Sequence, residues 1–298
     1  MSAGTPYANP TPQDIVEWLP RRLPDHRLRY GDDAQQFGDL RLPAHDPATS
    51  AGHPVVVVVH GGGYSPNWSL DHIAPLAERL TEAAGVATWN LEYRKPGQRG
   101  GGWPGTWLDI AAGIDHLGTI AEQFRLDLDR VVLVGHSAGG TFVSWAAGRS
   151  AVAADSDVHT AAPLAVRGVL PLAGMLDLEA FMTEGPEPPE FLSILLGAHV
   201  PLPEDELRAR IEQVSPMVRW QHVTAGQALI VGSSDASSLI EQSHAYVGLG
   251  DAPLDLDYLE GANHFDLVDP DGLAWPVVLG RVLSLAGLEP SDPTGEDQ

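Results

Sequence analysis

Two glycine-rich clusters and two later loops in this chain carry the residue types of nucleophilic catalysis. The first cluster is Gly135-His136-Ser137-Ala138-Gly139-Gly140, between the apolar run Val131 to Val134 and a helix-compatible stretch, Thr141 to Gly148. Strand, sharp turn and helix with a serine at the apex make a nucleophile elbow. Glycines flank the serine because the turn is tight and a Cβ there would meet backbone. A serine hydroxyl is a weak nucleophile, so it needs a base, and the base needs a carboxylate to orient it. The expected base is His264, in Asn263-His264-Phe265-Asp266, and the expected carboxylate is Asp235, in Gly232-Ser233-Ser234-Asp235. Each sits in a loop after an apolar run, in the chain order Ser137, Asp235, His264. Asp266 and Asp269 are the alternative acids, but both lie too close to His264 along the chain.

The second cluster, His60-Gly61-Gly62-Gly63-Tyr64, directly follows the run Val55 to Val59. Attack on a carbonyl creates an oxyanion, and backbone N–H groups aimed at it lower the barrier. Successive glycines let the backbone approach the substrate, so Gly62, Gly63 and Ala138 are the expected donors. His60 is expected to fix the loop by hydrogen bonding. A phosphate cradle is disfavoured, because no Gly-Lys-Ser/Thr follows and no basic residue is near. Tyr64 and Trp68, just past the loop, are expected to line the pocket. A third glycine cluster, Gly97 to Gly105, is expected to border it with Trp103 as a wall. There is no cysteine and no His-Glu-x-x-His spacing, so neither a metal nor a cofactor is expected.

These loops need a scaffold that brings them to one edge. His26 to Tyr30 and Gln36 to Leu42 read as edge strands. Val55 to Val59 reads as a strand buried on both faces. Strands are also expected at Val86 to Asn90, Val131 to Val134, Gly168 to Leu172, Ala228 to Val231 and Leu254 to Leu259. Helical spacing of apolar residues marks Asp71 to Ala84, stopped by Gly85. It also marks one long helix from Trp107 to Phe124, then Ser237 to Leu249 and Leu273 to Leu285. The alternation predicts an α/β fold with a mostly parallel eight-stranded sheet covered by helices on both faces. All strand C-terminal ends then meet at one edge, where ligands bind. Leu176 to Pro216, rich in proline and acid, breaks the rhythm and is expected to be a small lid over that edge. The expected layout is an N-terminal arm over 1–24, one catalytic domain over 25–288 and an acidic, disordered tail over 289–298.

The 298 residues carry a formal net charge of −23, which argues against nucleic acid and anionic membrane surfaces as partners. No apolar run is long enough to cross a membrane. The N-terminus lacks a signal-peptide pattern, and a cytoplasmic location is expected. The expected partner is a small-molecule substrate, and a homodimer is compatible with the sequence. Lys95 is the only lysine; the skew toward arginine reads as compositional rather than mechanistic.

With these motifs the chain resembles the α/β-hydrolases of the esterase and lipase type over about residues 25–285. His60 to Gly63 together with Gly135 to Gly140 is similar to the hormone-sensitive-lipase-like esterases, with His136 standing where those usually carry Asp. The second half is similar to the kynurenine formamidases (arylformamidases). That likeness rests on Leu172-Ala173-Gly174-Met175-Leu176-Asp177-Leu178-Glu179, Val214-Ser215-Pro216, Asp235 to Ser243, and Asn263-His264-Phe265-Asp266. The resemblance implies an α/β-hydrolase fold and a Ser137-His264-Asp235 triad. It implies cleavage of a small ester or aryl formamide through an acyl-enzyme.

Overall fold

A computed structural model describes residues 22–47, 49–250 and 254–289. Most of the expected N-terminal arm and the tail after Glu289 lie outside the described residues. Eight strands form one sheet: β1 (His26–Arg29), β2 (Phe37–Arg41), β3 (His53–Val59), β4 (Ala87–Leu91), β5 (Leu126–His136), β6 (Gly168–Leu172), β7 (Gly226–Gly232) and β8 (Asp255–Leu259). Their order across the sheet is β1-β2-β4-β3-β5-β6-β7-β8. β1 and β2 are antiparallel to their neighbours and the remaining pairs are parallel.

The five valines of β3 are wholly buried. Such a β-branched run suits a central parallel strand with helices over both faces. The helices are α1 (Ala74–Ala84), α2 (Gly105–Asp115), α3 (Leu117–Phe124), α4 (Ala138–Ala147), α5 (Leu178–Thr183), α6 (Glu190–Leu195), α7 (Glu204–Val214), α8 (Pro216–Arg219), α9 (Ser237–Val247) and α10 (Trp275–Ala286). α1 packs on α10, and α2 on α4. Gly85 ends α1 with φ 62°, the left-handed conformation that favours glycine there.

Two elements differ from expectation. The long helix from Trp107 breaks at His116 into α2 and α3. The break follows a helical carbonyl, Gly113 O, that accepts from Trp89 Nε1 at 2.9 Å. A side chain bonding into the helical ladder is a common origin of kinks. Strand β5 begins at Leu126, earlier than its apolar run, because its first residues pair with His53 and Pro54 before a register shift at Val55. Among the described residues no helix is long and apolar enough to cross a membrane.

The register sets the working edge. Val59 pairs with both Leu91 and Gly135, and Gly232 pairs with Leu259. The segments starting at His60, Glu92, Ser137, Ser233 and Glu260 therefore leave the sheet at the same end.

Candidate active site

Ser137 stands between the last residue of β5 and the first of α4, with φ 55° and ψ −120°. A serine in this region is strained by roughly 1–3 kcal/mol and persists only when its surroundings enforce it. The surroundings are backbone. A Cβ on Gly135 would overlap the carbonyl of Gly139, and one on Gly139 would overlap the carbonyl of Val59. Ser137 N–H donates to Leu172 O at 2.9 Å, and Ser137 O accepts from Gly140 N–H and Met175 N–H. The turn is thus clamped from β3, β6 and its own helix.

Asp235 and His264 come from the loops after β7 and β8. His264 Nδ1 donates to Asp235, 2.9 Å from Oδ2 and 3.1 Å from Oδ1. The Asp235 side chain is 2% exposed and that of His264 23% exposed. With Nδ1 facing a carboxylate, Nε2 is the nitrogen left for chemistry. Ser137 and His264 line one cavity of about 180 Å³, together with Gly62 and Gly63. The alternative acids do not reach His264. Asp266 accepts from Asn263 N–H and Asp269 from Asp271 N–H.

Two further histidines line the same cavity. His136 Nε2–H donates to the backbone carbonyl of His264 at 2.9 Å, and the two rings lie 4.5 Å apart. Burial pushes the His136 imidazole well below its usual range, so the ring is neutral and holds the His264 loop without a charge. Burial likewise pushes His72 down to about 3. His136 was legible as a motif residue, whereas His72 was hidden in an amphipathic run.

The loop from His60 to Leu70 is gripped at both ends by residues at the end of β4 and just after it. His60 Nε2–H and Leu70 N–H both donate to the Glu92 carboxylate, at 3.0 and 3.1 Å. Tyr93 O–H donates to His60 O at 3.0 Å, and Asn90 Nδ2–H donates to Leu70 O at 3.1 Å. Burial pushes the Glu92 carboxyl up, but the charges and hydrogen bonds of His60 and Lys95 outweigh it and hold it down to about 2. Glu92 is thus an ionised, buried staple. Its signal in the sequence was an acid at the end of an apolar strand, and the sequence reading passed over it. Gly61 lies on the elbow: a Cβ there would come within 2.5 Å of His136 O and 2.9 Å of the Ser137 Cβ. Among the described residues, the amides of Gly62 and Gly63 have no hydrogen-bond partner. Ala138 opens α4, so its N–H has no acceptor within the helix.

The expected pocket residues divide. Trp68 lines the cavity and packs on Gly62. Tyr64 does not: it is 2% exposed, and its hydroxyl is 2.7 Å from Thr141 Oγ1 beneath α4. Trp103 is not a wall of this cavity either. It bonds Asp157 and lies under the Arg210 guanidinium. Phe265, not singled out from sequence, completes the lining.

The excursion from Leu176 to Pro216 does not roof this cavity. Its middle docks on the third glycine cluster and α2, with Ile194 O accepting from Trp103 N–H and Leu195 O from Trp107 Nε1–H. Among the described residues no group of three or more His, Asp or Glu is placed to hold a metal ion.

Residues 39–248 match the BD-FAE family. No curated protein matches the chain significantly by sequence. Many solved structures share the fold, among them three esterases. A truncated carbohydrate esterase from gut microbiota superposes with TM-score 0.72 at 16% identity, covering 90% of this chain and 97% of that one. Esterase B from Lactobacillus rhamnosis gives 0.73 at 20% identity, covering 92% and 91%. The Pyrobaculum calidifontis esterase gives 0.68 at 16%, covering 93% and 88%. With a family match over most of its length and this sheet and elbow, the chain belongs to the BD-FAE family of hormone-sensitive-lipase-like α/β-hydrolases.

Proposed function

We infer that the protein is a serine carboxylesterase that transfers a small acyl group to water through Ser137. The observation that carries this reading is the meeting, on one cavity, of a strained Ser137, an Asp235-paired His264 and the free amides of Gly62 and Gly63. His264 Nε2 takes the Ser137 proton as Oγ attacks the ester carbonyl. The amides of Gly62, Gly63 and Ala138 receive the oxyanion. His264 then protonates the leaving alkoxide, and Asp235 stabilises the imidazolium in between. Water activated by His264 releases the acid and restores Ser137. A cavity of about 180 Å³ is close in size to one of about 150 Å³ that holds a benzene, which suits a formyl, acetyl or propionyl group better than a long acyl chain.

A second reading, hydrolysis of an aryl formamide, draws on the stretches around residues 172–179, 214–216 and 235–243. In the fold these converge. Gln242 Oε1 accepts from Leu176 and Asp177 N–H, while Ser215 Oγ accepts from Leu178 N–H. Apart from Asp235, they build a junction outside the cavity lining, whereas the fourth stretch of that likeness, Asn263 to Asp266, puts His264 and Phe265 on the cavity. Formyl is itself a small acyl group, so the two readings differ in the leaving group rather than in pocket size. Comparing kcat/KM for p-nitrophenyl acetate, butyrate and octanoate with that for N-formylkynurenine tests both. The expected order is acetate over butyrate over octanoate, with the formamide below acetate; a formamide preferred over acetate reverses the assignment. Ser137→Ala should abolish turnover and fluorophosphonate labelling while keeping the wild-type Tm. A wild-type protein whose Ser137 does not label is a binding scaffold, not an esterase.

A further inference from the structure

The one lysine of this chain is buried. Lys95 is 1% exposed, and its ammonium donates to Glu92 Oε1 at 2.6 Å and to Gln35 Oε1 at 3.0 Å. Enclosing an ammonium costs several kcal/mol unless it is paired, and a surface-compositional reading does not account for its position. Its partner Glu92 also holds His60, the first residue of the glycine loop. His60 has two ring contacts: Nδ1 lies 2.8 Å from Gly61 O and Nε2 3.0 Å from the Glu92 carboxylate. A carbonyl and an ionised carboxylate only accept. His60 thus meets an acceptor at each ring nitrogen. It is stacked on Tyr93 with ring centroids 4.4 Å apart and is wholly buried. Lys95 and His60 thus share one carboxylate, and the Lys95 ammonium is enclosed beneath the loop that carries Gly62 and Gly63. Little water reaches it, so its field is weakly screened.

We propose that Lys95 is a positioning residue for the oxyanion loop. It holds the Glu92 carboxylate between His60 and Leu70, so that the loop stays in place when negative charge develops on the substrate oxygen. This rests on the serine-hydrolase reading above. Amides held in this way act on the transition state more than on the neutral ester, because only the former carries a full negative charge. Its signature is a change in kcat rather than in KM.

The test measures p-nitrophenyl acetate hydrolysis and inhibition by 1,1,1-trifluoro-2-butanone, which forms an anionic adduct on serine, for wild type, Lys95→Met and Lys95→Arg. Lys95→Met should lower kcat about tenfold or more, move KM less than about twofold and weaken the ketone in parallel with kcat. Lys95→Arg, which keeps the charge, should recover at least part of both losses. Wild-type kcat in Lys95→Met, a loss confined to KM, or failure of the ketone to follow kcat overturns the proposal. If Lys95→Met does not fold, Lys95→Gln carries the same comparison. Failure of both to fold also overturns it, since Lys95 would then be holding the fold rather than the loop. Fluorophosphonate labelling of wild-type Ser137 separates the two levels. An unlabelled Ser137 removes the hydrolase reading itself, whereas a labelled and active wild type with an unaffected Lys95→Met removes only this inference.

Discussion

At the scale of single residues, Asp235 rather than its neighbours touches His264 Nδ1, and the proposed esterase uses it as the orienting acid. Asp235→Asn replaces an acceptor with an amide that favours the wrong tautomer of the imidazole. By the behaviour of such triads, kcat should fall by about 10³–10⁴, with a Tm within a few degrees of wild type. Steady-state kinetics and thermal melting check both, and a kcat within tenfold of wild type would move the acid elsewhere. The burial of Lys95 has its own test. An N-hydroxysuccinimide ester should label only the α-amine of the native chain and should reach Lys95 only after denaturation, read by mass spectrometry. Lys95 labelled in the native state at the rate of a free amine would contradict its enclosure. That Asp235 meets His264, and His264 shares a cavity with Ser137, was legible because their types, order and loop settings follow one pattern. Tyr64 and Trp103 were misplaced for the opposite reason: an aromatic beside a loop can turn inward as readily as outward. Here Thr141 and Asp157 supply the polar partners that settle where they lie.

At the scale of elements, the elbow and the glycine loop are interlocked, and glycine matters only where backbone lies close. Gly139→Ala would drive a Cβ into the Val59 carbonyl. Overpacking against backbone costs about 1–3 kcal/mol or more, so this variant should melt markedly lower and lose activity. Gly118→Ala, exposed in α3 with nothing near its missing Cβ, should gain roughly 0.5–1 kcal/mol from helix propensity alone. Chemical denaturation of the pair checks the contrast, and equal effects would refute it. Strands and most helices were readable from apolar spacing, because these elements bury one face or two. The break at His116 was not, because it coincides with a bond from Trp89, distant in sequence. The excursion after Leu176 was expected over the active site from its composition. Its position was decided by hydrogen bonds to Trp103 and Trp107, which hold its middle against the glycine cluster instead.

At the scale of the whole molecule, the buried histidines tie stability to pH. The ordinary His72 pKa is 6.5, and in the fold it drops to about 3; His136 shifts in the same direction. Between those values the unfolded chain binds protons that the folded chain refuses, so stability falls as pH falls. Asp266 and Asp269, pushed up by burial, act in the opposite sense at the acid end. The Tm should therefore decline from pH 7 toward pH 5, and His72→Gln should make the decline shallower. A Tm that holds or rises over that interval would contradict neutral burial of these rings. The net charge of −23 adds self-repulsion that salt screens, so the comparison belongs at one ionic strength.

The sequence by itself determined the alternation of strands and helices, the elbow, the glycine loop and the order of acid and histidine. Each is a local pattern with a local physical cause: periodic burial, a turn that admits little but glycine, a base that must follow its scaffold. Only the tertiary structure decided which residues support those parts. His72 and Lys95 carry no local signature, and Glu92 only that of an acid at a strand end, because a buried charge or a neutral imidazole is defined by what surrounds it. Their surroundings are assembled by β3, β4 and β5 lying side by side, an adjacency fixed by long-range pairing rather than by any neighbouring residue.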